Sequence, residues 1–590
     1  MALCVWAGGL TAVPIAAEVA ARGASPPSGL DVLPFPGTPD ASAQTQISFP
    51  SIRPSALRAV NVIGSRSGLH EGRLRPLMGG GSSFTPRHAF VPGEQVTVRA
   101  TMRAPVPAIN GSAPTIDFSF GVAVPAPVPA ARTQLRHDIR DSNGFTHSYN
   151  SSPALHAPLV SRTGKDPDPS AGDIFVDAQN SIAAGPVILD PTGNLVWFKP
   201  MHHSAAFNVE VQQYQGVSVL TYWQGYVVAP GYGIGSGVIV NHLYQTIHEV
   251  NAGNGYHADL HEFQITPQGN ALITIYAPVK ANLQSIGGPR KGTLLDSIIQ
   301  EINIETGQVL WEWHASGHVP LTSSYAGRPT AAPYDFFHAN SIEQLPNGDL
   351  LVSSRATWAV YDINMRTGRI RWILGGKRSS FRIGTGANFE WQHDAHLQGS
   401  TLTVFDNAAG GGQVSEPASR ALQISVNFNA RRATLQRASL SKPSVVSSSQ
   451  GSVQQLSDGN AFVGWGQAPY FTEYGRGGRQ LFSFHFHSPP LQSYRAYRFP
   501  WWGQPTIPPS LAVSATSSGA TAYASWNGAT TVASWVLLAG PDPTTMQPVA
   551  TAPKTSFETA LTTSNTGPSF AVEALDSSGH PLAISNPVQR

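Results

Sequence analysis

Three short segments repeat one design: GNLVW at 193–197, GQVLW at 307–311 and GRIRW at 368–372. Each sets a glycine before an apolar strand that ends in tryptophan. A second element recurs among them: PQGNALI, PNGDLLV and SDGNAFV, turns carrying Gly269, Gly348 and Gly459 that feed apolar strands. Trp311 and Trp372 lie 61 residues apart, and Trp197 to Trp311 spans 114, close to two such units. Repeats of roughly 40 to 60 residues built from several short strands point to a β-propeller, in which each unit buries its faces against its neighbours. The region 170–505 holds about six of them. A stacked sandwich would show neither the tryptophan period nor the repeated turn.

The expected fold class is therefore all-β: a six-bladed β-propeller flanked by small N- and C-terminal β-sandwich domains. With 57 Gly and 48 Pro in 590 residues, long helices have little room. Residues 1–45 read as an apolar N-terminal segment and linker. Short alternating runs such as LRAVNVIG and EQVTVRATM make 46–125 a small β-sandwich domain. Residues 126–169 read as a linker, 170–505 as the propeller and catalytic domain, and 506–590 as an Ig-like β-sandwich. In that last domain ATAYASWNGATTVASWVLLAG gives two strands around Asn527-Gly528, with Trp526 and Trp535 in the core.

Only 12% of residues are charged and the net charge is +2, so there is no electrostatic case for nucleic acid or a membrane surface. No stretch reaches the roughly 18 to 20 apolar residues that span a bilayer. The single cysteine, Cys4, cannot form an intramolecular disulfide. The N-terminus is apolar with Ala-x-Ala-like sites but has no basic n-region; it is either an export signal or a tail. The expected location is extracellular or at the cell surface.

The polar clusters sit inside the repeats. HANSIEQLPNGDLLVSSR at 338–355 reads as a hairpin. With Asn347-Gly348 as a two-residue turn, Asn340 faces Arg355 and His338 shares a face with Asn340. An imidazole, a carboxamide and a guanidinium on one hairpin suit a tetrahedral oxyanion. His261 stands eight residues before Gly269, as Asn340 does before Gly348, so the two occupy equivalent strand positions. In WQHDAH (391–396), strand parity favours His393 over His396 as the inward histidine. A neutral histidine beside a bound anion can attack it or carry a proton. Asp406-Asn407 ends a strand at the same rim and either orients His393 or caps a turn.

Other chemistries lack their residues. No carboxylate pair is present at these positions for glycoside hydrolysis, no HExxH or cysteine pair for zinc, and no GxSxG elbow for a serine hydrolase. His202-His203 and His485-x-His487 show no third ligand, and Asp166-Pro-Asp168 reads as a turn, so no metal site and no cofactor are expected. The tryptophans at 197, 311 and 372 read as packing between blades.

The runs DLHEFQITPQGNALI, DSIIQEINIETGQVLWEW, DFFHANSIEQLPNGDLLVSSR, ILGGKRSSF, FEWQHDA and LTVFDN resemble the bacterial arylsulfotransferase (arylsulfate sulfotransferase) family, in particular its divergent actinobacterial and fungal branch. The resemblance implies a six-bladed propeller that moves a sulfuryl group from an aryl sulfate donor to a phenolic acceptor, without a nucleotide donor, through a sulfated histidine. On this chain it implies His393 as nucleophile, and His338, Asn340 and Arg355 as sulfuryl-binding residues. His261 is the remaining channel histidine, with His257 its competitor. Asp406 and Asn407 complete the expected binding set, and Trp391, Phe389 and Tyr276 are candidates to flank the aryl ring. The rival reading is a secreted propeller that binds an anionic or aromatic ligand without turnover. A quinone-cofactor dehydrogenase shares such repeats, but its acidic base and calcium ligands are not recognisable here.

Overall fold

A computed structural model of the protein describes residues 31–103, 115–128, 146–164, 170–179, 183–228, 231–329, 333–487, 491–565 and 567–590. The N-terminal segment up to residue 30 and the Asp166-Pro-Asp168 turn lie outside them. Among the described residues the regular structure is β-strand and single-turn 3-10 helix, with no α-helix.

Six mainly antiparallel sheets succeed one another between Asp173 and Phe499. The first contains Asp173–Ala178, Gly185–Leu189 and Leu195–Phe198; the second runs from Ala205–Tyr214 to Thr246–Val250. The third runs from Phe263–Ile265 to Val309–His314, and the fourth from Ala339–Gln344 to Ile370–Gly375. The fifth holds His393–Gln398, Thr401–Asp406, Arg420–Asn427 and Arg432–Ser439, and the sixth runs from Ser452–Gln455 to Gln480–Phe486. The strand Ala496–Phe499 then returns to the first sheet, with Asp173 opposite Phe499.

The leading strands of successive sheets touch. Ala205–Tyr214 packs on Phe263–Ile265, Ala339–Gln344 on His393–Gln398, and His393–Gln398 on Ser452–Gln455. Ser452–Gln455 in turn packs on Ala496–Phe499, which also meets Ala205–Tyr214. The repeated motifs serve this succession. Gly348 has φ +82, the left-handed geometry its turn requires. Trp197 of the first sheet stacks on Tyr244 of the second at 4.8 Å. Trp311 of the third donates its indole N–H to the Met365 carbonyl in the fourth at 2.6 Å. Trp372 meets Phe381 edge-on at 5.5 Å. Burying 150–250 Å² of such a ring contributes roughly 4–6 kcal/mol as an upper figure.

One side chain ties several sheets at once. Arg495, just before the returning strand, is buried and donates to Asn208 Oδ1 (2.7 Å), both Glu262 oxygens (3.1 and 3.0 Å) and the Asn340 carbonyl (3.0 Å). Its Nε lies 3.3 Å from Asp394 Oδ1. A buried cation is tolerated there because carboxylates from two sheets surround it.

Outside the six sheets, a four-stranded and a three-stranded sheet between Ile47 and Gly121 share a core of Phe49, Val62, Val96, Phe118 and Phe120. LRAVNVIG and EQVTVRATM pair with each other, Val62 opposite Val98. The segment ahead of them docks on the third sheet, where Ser316 Oγ donates to Asp40 at 2.8 Å. Between Ser510 and Gln589 two further sheets enclose Trp526, Trp535 and Leu537.

Two expectations change. The strands Gly519–Ser525 and Ser534–Gly540 belong to different sheets, so Asn527-Gly528 is not a hairpin turn. It is a docking finger: Asn527 exchanges hydrogen bonds with the Phe198 backbone at 2.9 and 3.0 Å. The stretch expected as a linker carries Val160–Thr163, which extends the sixth sheet beside Gln480–Phe486.

Candidate active site

The 338–355 hairpin forms in a register different from the one expected. Leu345 and Asp349 bracket a three-residue turn, and a bulge falls at Asn340, since Ala339 pairs with Ser354 and Ser341 with Ser353. Arg355 therefore bonds to the carbonyl of His338, at 3.0 Å, and not opposite Asn340. His338 itself has φ 57, a left-handed conformation that costs a residue with a β-carbon about 1–2 kcal/mol. Bulges and left-handed residues recur on the leading strands, at Asn208 in the second sheet and Asp394 in the fifth. Such kinks re-aim side chains that a regular strand would alternate.

Their effect is to gather histidines from three sheets. The His261 and His338 rings stand edge to face with centroids 4.7 Å apart. Tyr276 lies 5.3 Å from His261 and 5.4 Å from His338, while Tyr494 lies 5.8 Å from His261 and 6.4 Å from His393. All three histidines are buried. Each also has a fixed partner on Nδ1: Asp259 for His261 at 2.6 Å, Asp335 for His338, and Asn407 for His393 at 2.7 Å.

The Asn407 contact decides the state of His393. The Asn407 amide N–H groups donate to the carbonyls of Ser447 (2.8 Å) and Gln450 (2.9 Å), so its carbonyl oxygen faces the ring. An acceptor there requires a proton on His393 Nδ1 and leaves the lone pair on Nε2. That lone pair accepts a 3.2 Å bond from the Gln450 backbone N–H. Burial first, then the Arg355 guanidinium, hold the His393 imidazole well below its usual range, against the upward pull of Asn407. His338 is likewise held well below, by burial and then by His261 and Arg355. Both rings are neutral near pH 7.

Arg355 is poised rather than spent. Its guanidinium lies 5.0 Å over the Trp391 ring and donates once to the Ser448 carbonyl at 3.0 Å. The backbone of Gly410 closes on the same spot: a Cβ there would come within 2.6 Å of Trp391 and 2.8 Å of Arg355 Nη2. Burial pushes the Asp335 carboxyl up to about 7, opposed chiefly by Arg355. Asp259, despite its burial, is held below the usual carboxylate range by His261.

The remaining expected residues divide. Asn340 is buried and spends Nδ2 on the carbonyl of Gln392 at 2.7 Å, so it anchors the His393 strand rather than gripping an anion. Asp406 accepts from Arg420 Nε at 2.9 Å and from the backbone of Glu390 and Ala408; it caps its loop while Asn407 orients His393. His257 is exposed. His396 bonds Asp394 at 3.2 Å, apart from the three clustered rings. Asp259, and the pairing of Asp335 with His338 rather than with Arg355 alone, escape the sequence reading, although Asp-x-His at 259–261 and Asp-x-x-His at 335–338 are legible as imidazole partners. Tyr494, far along the chain, gave no local signal.

Asp40, Asp296 and His314 bring one ligand atom each within 4.8 Å of one another. Here the imidazole fills the space: Nδ1 sits 3.0 Å from Asp296 and 3.2 Å from Asp40, and Nε2 sits 3.1 Å from Glu312. A doubly protonated ring satisfies all three carboxylates.

Three buried histidines thus stand together, one with its lone pair on Nε2, and the Arg355 guanidinium acts on two of them. Residues 210–487 match the arylsulfotransferase (ASST) family. The match spans every residue of this cluster except Tyr494 and supports an arylsulfotransferase-family assignment for the region. No curated protein matches the chain. Among solved structures, a protein of unknown function from Bacteroides caccae shares 14% identity over 55% of this chain and 98% of that one, with a TM-score of 0.33. A catalytically inactive virginiamycin B lyase from Staphylococcus aureus shares 11% identity over 63% and 92%, with a TM-score of 0.25.

Proposed function

We propose that the chain is an arylsulfate sulfotransferase that moves a sulfuryl group from an aryl sulfate to a phenol through a sulfohistidine at His393. The carrying observation is the Asn407 lock, which leaves a neutral imidazole with its lone pair on Nε2 beside Arg355. The family match over 210–487 supports the reaction class.

In the first half-reaction the Nε2 lone pair forms an N–S bond as the S–O(aryl) bond breaks in line. The Gln450 N–H releases Nε2 as it attacks. The departing phenolate keeps the bonding electrons and takes the Nε2 proton of a doubly protonated His261, whose Nδ1–H stays on Asp259. Arg355, with His338 beside it, stabilises the charge on the equatorial sulfuryl oxygens. In the second half-reaction the acceptor phenol returns its proton to His261 and its oxygen forms the new S–O bond. The N–S bond breaks and the electron pair returns to Nε2.

The six sheets are read as the blades of a closed propeller, a reading supported by the run of contacts from one leading strand to the next. The sheets within 46–125 and 506–590 are read as flanking β-sandwiches, the second Ig-like. Action outside the cytoplasm is supported by the apolar N-terminal sequence. The test is release of phenol from 4-methylumbelliferyl sulfate with and without an acceptor, with peptide mass spectrometry of His393. Acceptor-dependent release and a sulfuryl adduct on His393 are expected, both lost in His393→Ala. Release that persists in His393→Ala would sink the mechanism, and absence of any release would favour ligand binding without turnover.

A further inference from the structure

Away from the histidine cluster, a cleft of about 500 Å³ opens where the first sheet meets the C-terminal sheets. Asp173 and Asp190 line it at the ends of two strands of the first sheet, and Trp501 and Trp502 from the segment after the returning strand. Lys554 and Thr555 face them from the loop after the strand Gln547–Pro553. The walls are fixed from both sides. Trp501 Nε1–H donates to the Tyr244 hydroxyl at 3.0 Å, which donates in turn to the Gly528 carbonyl at 2.8 Å. The Gly503 N–H donates to Thr530 Oγ1 at 3.0 Å, and the Thr530 N–H to the Gly503 carbonyl at 3.1 Å. Trp502, by contrast, is 49% exposed, with His242 packed on its ring at 4.6 Å.

The polar groups of the cleft are open as well as unspent. Asp173 is half-buried, yet among the described residues its carboxylate makes no hydrogen bond and is not sealed from solvent. Asp190 spends its oxygens on Thr192 and Asn194. Lys554 gives one N–H to the Ala529 carbonyl at 3.2 Å and keeps two. The hydroxyls of Thr531 and Thr555, which also line the cleft, make no hydrogen bond among the described residues and are likewise unsealed. Burial first, and then Asp190, push the Asp173 carboxyl up to about 6, while burial holds the Lys554 ammonium down against both carboxylates.

We propose that this cleft is a saccharide-binding site that takes an uncharged sugar of more than one ring. The lining decides the class. Sugar hydroxyls both donate and accept, as Asp173, Lys554 and the threonines together require, and the C–H face of a pyranose packs on an exposed indole. An anion would meet two carboxylates, a cation would meet Lys554, and an apolar ligand would strand the polar groups. The volume lies within the ~300–1,000 Å³ of small-molecule sites, and about 150 Å³ suffices for benzene, so more than one six-membered ring fits. The inference stands whether or not the histidine cluster transfers sulfuryl groups.

The test is calorimetric titration of the full chain with maltose, cellobiose, mannobiose and galactobiose, and with digalacturonate as the acidic comparison. The same titrations are run on Trp502→Ala, which alters an exposed ring, and on the near-isosteric Asp173→Asn. Expected are saturable binding of at least one neutral disaccharide, at least tenfold weaker in each variant, and digalacturonate binding at least tenfold weaker than the best neutral sugar. Absence of saturable binding for all four neutral disaccharides would overturn the site. So would affinity unchanged in both variants, or a preference for digalacturonate.

Discussion

Replacing Asn407 by aspartate tests the tautomer lock directly. The substitution keeps an acceptor 2.7 Å from His393 Nδ1 but makes it anionic. An opposite charge at hydrogen-bond range raises a histidine pKa by about 1 to 3 units, or about 1.4 to 4 kcal/mol. The native ring starts well below 6.5, held down first by burial and then by Arg355. In the variant it should gain its proton at higher pH. A unit below the new pKa only about a tenth of the rings are neutral, so the rate there falls about tenfold. The acid limb of the kcat/KM profile for 4-methylumbelliferyl sulfate should therefore move to higher pH by about 1 to 3 units, while activity at alkaline pH is better preserved. The change also removes two donors, leaving the Ser447 and Gln450 carbonyls facing a carboxylate at a cost of about 1–3 kcal/mol each. The unfolding midpoint, followed in parallel, separates that loss from the titration. An acid limb that superimposes on the wild type, with an unmoved His393 C2–H titration by NMR, would refute the assignment of His393 as a buried neutral nucleophile.

Gly410→Ala should lower kcat/KM by about 10- to 100-fold, because the added methyl meets Trp391 at 2.6 Å and Arg355 Nη2 at 2.8 Å; a displacement of about 1 Å costs that much. Steady-state kinetics with an unchanged unfolding midpoint checks it. Arg495→Met leaves Glu262 and Asp394 buried without their cation and should cost about 3–5 kcal/mol, read by denaturant titration. His314→Gln tests the buried triad: against burial, the bonds to Asp296, Asp40 and Glu312 raise His314 well above 6.5. Its stabilisation is complete below the unfolded value near 6.5 and is lost as pH rises through the folded one. The stability gap between wild type and variant should accordingly be widest at pH 5.5 to 6.5 and shrink at alkaline pH; a gap that widened with pH would contradict the triad.

The strand pattern was legible because it rests on local chemistry. Gly269, Gly348 and Gly459 all turn with positive φ, and the three tryptophans pack between sheets as their spacing suggested. Parity set His393 apart from His396, but a bulge between them breaks the alternation on which that reading rests, since the two pair with Phe405 and Thr403. What parity could not anticipate was the bulge at Asn340 and the left-handed turn at His338, because an inserted kink has no compositional signature. One extra residue in the turn and one in the bulge moved Arg355 from Asn340 to His338. Burial settled Asp406-Asn407: Arg420 claims the aspartate and only the amide reaches His393. Tyr494 and Arg495 support the site from the segment just before the returning strand, and no single repeat carries the information that they meet it.

The returning strand gives the chain an order of assembly. Asp173–Ala178 finds its last partner only at Ala496–Phe499, about 320 residues later. Closing a loop of that length costs about 5 kcal/mol in chain entropy, and that cost is met before Arg495 can engage Glu262 and Asp394. During synthesis the three histidines therefore emerge long before the residues that hold them. A chain ended at Phe486 keeps His261, His338, His393 and Arg355 but loses Tyr494 and Arg495, both of which bond to the Asn340 carbonyl. The frame around the three histidines is completed only at Tyr494 and Arg495, and a product ended before them carries the imidazoles without two of the side chains that hold the site together.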